Sequence, residues 1–163
     1  MAQRQRLSTR CGWASHVRYV SNMNQSLGSM FNRYWPAAFM VVAFTLHNAD
    51  HAIRGLADTT DSVVWSGTLL MVLVSIAITL KVVDHPLAPE WAIMVGAATA
   101  FGVASSHFLP KWSFLSDPLA DRNVGFASWG VASLEIIAGV VFAISGIRDR
   151  SKRLELERLV AAS

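Results

Sequence analysis

Four stretches of this chain run for about the width of a lipid bilayer almost without a charge. Ser62 to Leu80 gives nineteen consecutive residues with none, and Trp91 to Pro110 gives twenty. Asn123 to Ile147 holds one charge, Glu135, in twenty-five residues, and Tyr34 to Ile53 is uncharged until Asp50. A helix needs about 20 mostly apolar residues to cross ~30 Å of hydrocarbon. The pattern predicts four transmembrane helices, near 34–54, 62–82, 89–109 and 125–147. A soluble helical core is the competing explanation, but four runs of this length are more than such a core uses. Composition agrees: 53% of residues are hydrophobic and 15% charged, against roughly 25% charged in soluble domains.

The charges that remain are segregated. Arg4, Arg6, Arg10, Arg18 and Arg33 precede the first run, and Arg148, Arg150, Lys152, Arg153 and Arg158 follow the last. With Lys81 in the second connection these make eleven, against Arg54, Lys111 and Arg122 on the other side. Basic residues collect on the cytoplasmic face, so both termini are expected there, in the plasma membrane. The net charge of +3 follows from that asymmetry and does not point to nucleic acid. No apolar run falls in the first 30 residues, so no cleaved signal peptide is expected. The basic leader fits an organellar transit peptide or a start at Met23 or Met30 about equally. A single cysteine, Cys11, excludes an internal disulfide or a cysteine-based metal cluster.

Three segments result: a basic cytoplasmic tail at 1–33, the four-helix domain at 34–147, and a basic amphipathic tail at 148–163. Span one opens at Trp35-Pro36, and Asp61-Ser62 is placed to cap span two. The connection DHPLAPE forms a tight turn between spans two and three. Spans three and four are rich in small residues, Gly96, Ala100, Gly102, Gly130 and Gly139 among them, which lets helices approach closely. Trp35, Trp65, Trp91, Trp112 and Trp129 fall near span ends, as an interfacial aromatic belt does. The segment 109–123 is too apolar for a free loop and is expected to fold back as an outer lid. Leu154, Leu156, Leu159 and Val160 among the charges of the tail predict a cytoplasmic amphipathic helix.

The chemistry gathers at the outer end. His47, Asp50, His51 and Arg54, in HNADHAIR, are spaced i, i+3, i+4 and i+7 and share one helix face. Span three runs outward and ends at His107; Asp117 belongs to the lid, and Glu135 lies near the middle of span four. Ionisable groups inside a membrane are costly and mark function or tight internal pairing. The first reading is a metal site of His47, Asp50, His51 and His107, with Arg54, Asp117 and Glu135 around it. Imidazole and carboxylate without thiol suit zinc, copper(II), iron or nickel. Haem is a second reading, with His47 or His51 opposite His107 as axial ligands, though no further motif supports it. The third is structural: an Asp50–Arg54 ion pair and histidines bonded to Asp117, Glu135 or backbone. Glu135 is then expected to hydrogen-bond His47 or a span-three serine.

At HNADHAIRG (47–55) and SHFLPKWSFLSDP (106–118) the chain resembles a group of small four-helix integral membrane proteins of actinobacteria. The resemblance implies the four-helix architecture and the pairing of the two motifs, and carries no activity. The expectation is thus an all-α, four-helix transmembrane bundle whose His/Asp/Glu pocket binds a metal ion or small polar ligand. The alternative is a non-catalytic membrane subunit or assembly partner, contacting lipid and a second copy or a membrane complex, in which the polar cluster only holds the fold. No nucleophile–base pair or cofactor motif points to an enzyme.

Overall fold

The computed structural model describes residues 28, 30–55 and 60–162. The chain divides into two units, Met1–Trp35 and Pro36–Ser163. In the first, the described residues are helical, and the Arg33 guanidinium lies 5.5 Å from the centre of the Tyr34 ring. The rest of the expected basic tail, with Cys11 and Met23, lies outside the described residues.

The second unit is all-helical, with no strand among the described residues. Helix α1 covers residues 30–54, of which those from Pro36 onward belong to this unit. It is followed by α2 (Asp61–Val82), α3 (Ala88–His107) and α4 (Phe126–Ala161), with a single 3-10 turn at Leu119–Arg122 in the last connection. Local chemistry sets these limits. Gly55 ends α1 with φ of +96°, a left-handed conformation that glycine adopts without strain. Pro89 sits in the first turn of α3, where its missing N–H costs nothing. The expected Asp61-Ser62 cap does not form: Thr60 is the N-cap without a side-chain bond, and the Ser62 hydroxyl donates to the Phe114 carbonyl instead. Asp61 still favours the helix start through the macrodipole.

One difference concerns the C-terminus. Residues 148–161, expected as a separate surface helix, continue α4 without a break, because no proline or exposed glycine interrupts the run after Gly146. Asp149 on this extension accepts from the buried Lys81 ammonium, and Arg153 donates to the Pro86 carbonyl. These bonds tie the extension to the turn between α2 and α3.

All four helices contribute to one core, with Met40, Val74, Ala77, Val95, Ala138 and Phe142 buried in it. Helices α3 and α4 approach to backbone contact. A Cβ on Gly96 would stand 2.5 Å from the Gly139 carbonyl oxygen, and one on Gly146 would stand 2.6 Å from the Pro89 oxygen. The backbones touch at those points, as the small residues of both segments predict. A second small cluster, Val103, Leu119 and Ala132, fastens the α3–α4 connection to both helices.

Among the described residues, α2 and α4 are the helices long and apolar enough to cross a membrane. In α3, Pro89 and Glu90 at one end and Ser105, Ser106 and His107 at the other reduce the apolar character. Helix α2 is less enclosed than α4, with 17% of its most apolar window buried against 39%.

The backbone contact at Gly139 is directly testable. Gly139→Val is expected to destabilise the detergent-solubilised protein by about 1–3 kcal/mol through overpacking, read as a lower unfolding temperature. Gly102→Ala, whose added Cβ meets nothing within 4 Å, leaves that temperature near the unmodified value.

Candidate metal centre

The last two turns of α1 present His47, Asp50, His51 and Arg54 on one side, because their spacing matches the 3.6-residue turn. His47 is buried, and its Nδ1 donates to the carboxylate of Glu135, which is 2% exposed. Glu135 lies about 14 Å along α4 from its start, at 1.5 Å per residue. This is one of the two partners the sequence offered for it. One turn beyond His47, His51 Nε2 is 3.1 Å from His47 Nε2. Arg54 Nη2 is 3.3 Å from His51 Nδ1, and Arg54 Nε donates to Asp50 Oδ2 at 2.8 Å.

His107, the last residue of α3, completes the group. Its Nδ1 donates to the Asp117 carbonyl oxygen at 3.0 Å, while the Asp117 N–H donates to the Ser106 carbonyl at 2.9 Å. The three imidazole rings have centroids 4.9, 5.0 and 5.4 Å apart. One nitrogen from each of His47, His51 and His107 lies within 4.8 Å of the others. They are the group of His, Cys, Asp or Glu side chains among the described residues that is spaced to hold an ion.

The hydrogen bonds define the tautomers. A carboxylate on His47 Nδ1 and a carbonyl on His107 Nδ1 each require a proton on that nitrogen. In a neutral ring this leaves Nε2 with its lone pair. Metal-bound histidines are oriented in this way, by a carboxylate or carbonyl on the far nitrogen. His51 differs: Arg54 donates to its Nδ1, so its Nε2 carries the proton given to His47. For Nε2 of a neutral His51 to hold an ion, the ring must take the other tautomer, with its proton on Nδ1 and the Arg54 contact given up.

The remaining sequence candidates stand outside the trio. Asp50 is held by Arg54 and by the Ser128 hydroxyl, which donates to Oδ1 at 2.9 Å. Asp117 faces His107 with its main chain, and its buried carboxylate is ion-paired to Arg122 Nη2 at 2.6 Å. Sequence reasoning passed over Ser128 and Arg122. Ser128 had a signal, since it precedes Glu135 by seven residues and so shares its helix face. Ser116 fixes the connection locally by accepting from the N–H groups of Trp112 and Ser113, both at 3.1 Å. The Trp112 indole donates to the Ser105 carbonyl at 2.9 Å.

Beside the histidines lies a cavity of about 500 Å³. His47, His51, His107 and Glu135 form its polar side, and α2 walls it from Val63 to Leu73. Compared with known proteins, the chain matches no family model, no curated protein and no solved structure. What the fold and site define is an all-helical protein with two membrane-length apolar helices and a three-histidine cluster in which His47 and His107 are buried and His51 is partly buried.

The Asp117–Arg122 pair holds the support for His107. Arg122→Ala leaves a buried carboxylate without its countercharge and is expected to cost about 3 kcal/mol. Limited proteolysis should then cut within 109–123 faster than in the unmodified protein, whereas Lys111→Ala, at an exposed position, leaves the rate unchanged.

Proposed function

We propose that this protein is a four-span membrane bundle that holds a divalent first-row metal ion on His47, His51 and His107. The observation that carries the reading is the orientation of the rings: two of three imidazoles have Nδ1 secured, by Glu135 and by the Asp117 carbonyl, so that Nε2 serves as ligand. Three neutral imidazoles suit zinc, copper(II), iron or nickel. Three protein ligands leave a position open, the pattern of sites that bind a further molecule rather than purely structural ones. Asp50, Arg54 and Asp117 act around the centre as orienting groups.

Membrane residence is supported by where the apolar surface lies. Trp65, Phe101, Phe114 and Phe126 are all more than 70% exposed, and α2 buries little of its apolar length. In water such a surface favours aggregation; in lipid it is solvated. On this reading α1 and α3 are the other two spans, since they share the core with α2 and α4. The excess of basic residues at the two tails and Lys81 puts both termini in the cytoplasm. The histidines and the 109–123 connection then face outward.

A second reading has one specific observation behind it. Each cluster side chain already has a hydrogen-bond partner in the protein. Such a network can fix helix packing without a ligand, in a non-catalytic subunit whose partners dock elsewhere.

Elemental analysis of the detergent-purified protein, with an absorption spectrum of the same sample, separates the two. The metal centre requires near-stoichiometric metal that His51→Ala and His107→Ala lose while remaining folded by circular dichroism. A Soret band would replace the metal centre by haem. A folded, colourless and metal-free protein would overturn both, and the second reading would then stand.

A further inference from the structure

Resting on the metal centre proposed above, we propose that the adjoining cavity binds a long-chain carboxylate, with its carboxylate on the ion and its hydrocarbon chain along α2. The argument begins with polarity. The ionisable groups of the cavity collect on α1, α3 and α4 as His47, His51, His107 and Glu135. Helix α2 contributes Val63, Val64, Leu70 and Leu73 together with Ser66 and Thr68, whose hydroxyls donate to carbonyls of their own helix. A ligand that fits has one polar end and an apolar body. The volume, about 500 Å³, falls within the range of small-molecule pockets, roughly 300–1,000 Å³. Its wall from Val63 to Leu73 follows α2 for about 15 Å at 1.5 Å per residue, which is elongated, as a chain is.

Charge selects the polar end. Asp50 is neutralised by Arg54 and Asp117 by Arg122. A divalent ion held on imidazole ligands brings positive charge into this apolar space. Burying uncompensated charge is costly, so the open coordination position favours an anionic group. Hydroxide would satisfy the charge but leave the apolar cavity unfilled. A carboxylate on a hydrocarbon chain satisfies both. The membrane supplies such molecules, and the loosely enclosed α2 is the wall past which they enter.

Two glycines give the means to test this without touching the ion. Gly67 and Gly102 both line the cavity, and a Cβ on either meets no atom within 4 Å. Gly67→Leu with Gly102→Leu fills the space with side chains and leaves all three histidines in place. The protein is reconstituted in phosphatidylcholine nanodiscs, loaded with zinc, and titrated with radiolabelled oleate, with zinc measured in each sample. Expected is saturable oleate uptake, not competed by methyl oleate, which lacks the charge. The double glycine variant should keep its zinc and bind oleate roughly tenfold more weakly or worse. Should that variant fail to fold, Leu70→Trp narrows the same space from α2 alone. A zinc-loaded protein that retains no oleate above empty nanodiscs overturns this inference and leaves the metal centre standing. So does a filled cavity that binds oleate as tightly as the original. A protein that takes up no zinc overturns the two together.

Discussion

Glu135, the tenth residue of a 36-residue helix, is 2% exposed, in surroundings where a charge cannot be left alone. An uncompensated carboxylate in such surroundings costs several kcal/mol, and His47 is the group that answers it. That one bond sets both the rotation and the height of α1 against α4. Everything after it on α1 follows from helix geometry. His51 comes one turn later on the same face, and Arg54 another turn on. With His47 anchored, His51 has to arrive beside it, and Arg54 has to arrive beside His51. The cluster is thus built outward from a single buried pairing.

The height of His107 has a different origin. Helices α3 and α4 run antiparallel with Gly96 against Gly139 and Pro89 against Gly146, where the backbones themselves are in contact. No side chain can adjust that register. Counting eleven residues forward from Gly96 reaches His107, and eleven back from Gly139 reaches Ser128. Both lie about 16 Å from the crossing point. Ser128 donates to Asp50, so α1, α3 and α4 bring Asp50, His107 and Ser128 to one level. The glycines fix one pair of helices, the Glu135–His47 bond fixes the third, and the three rings meet because both constraints hold together.

Much of this was legible in the sequence. Uncharged runs located the helices, since burial in core or lipid excludes charge from either. The i, i+4 spacing of His47 and His51 and the alternating direction of the helices brought His107 to the same end. The small residues of the third and fourth runs foretold their close packing. What was not legible depended on contacts between distant residues or on the main chain. Asp50 resembled a ligand by residue type, but Ser128, 78 residues away, helps claim its oxygens. Asp117 was chosen for its carboxylate, yet it serves His107 through its carbonyl, which no residue name encodes. The tail after Ile147 looked separate because its composition changes there, but a change from apolar to charged does not end a helix without a stop signal. The cavity could not be read either, since it is a gap between helices and not a pattern along one.

Helix α2 stands apart from these constraints in an instructive way. It is held at its start by Ser62 to the Phe114 carbonyl and at its end by buried Lys81 to Asp149. From Val74 onward it packs into the common core. Between those regions, from Val63 to Leu73, it faces the cavity and offers the histidines no ionisable group. The ring geometry is therefore decided by α1, α3 and α4, and the adjoining space by α2. Substitutions on α2 that change that space need not disturb the rings, and loss of a histidine need not move the wall. A site in which the polar centre and its apolar neighbourhood are set by different helices can alter what it admits while keeping the same three nitrogens.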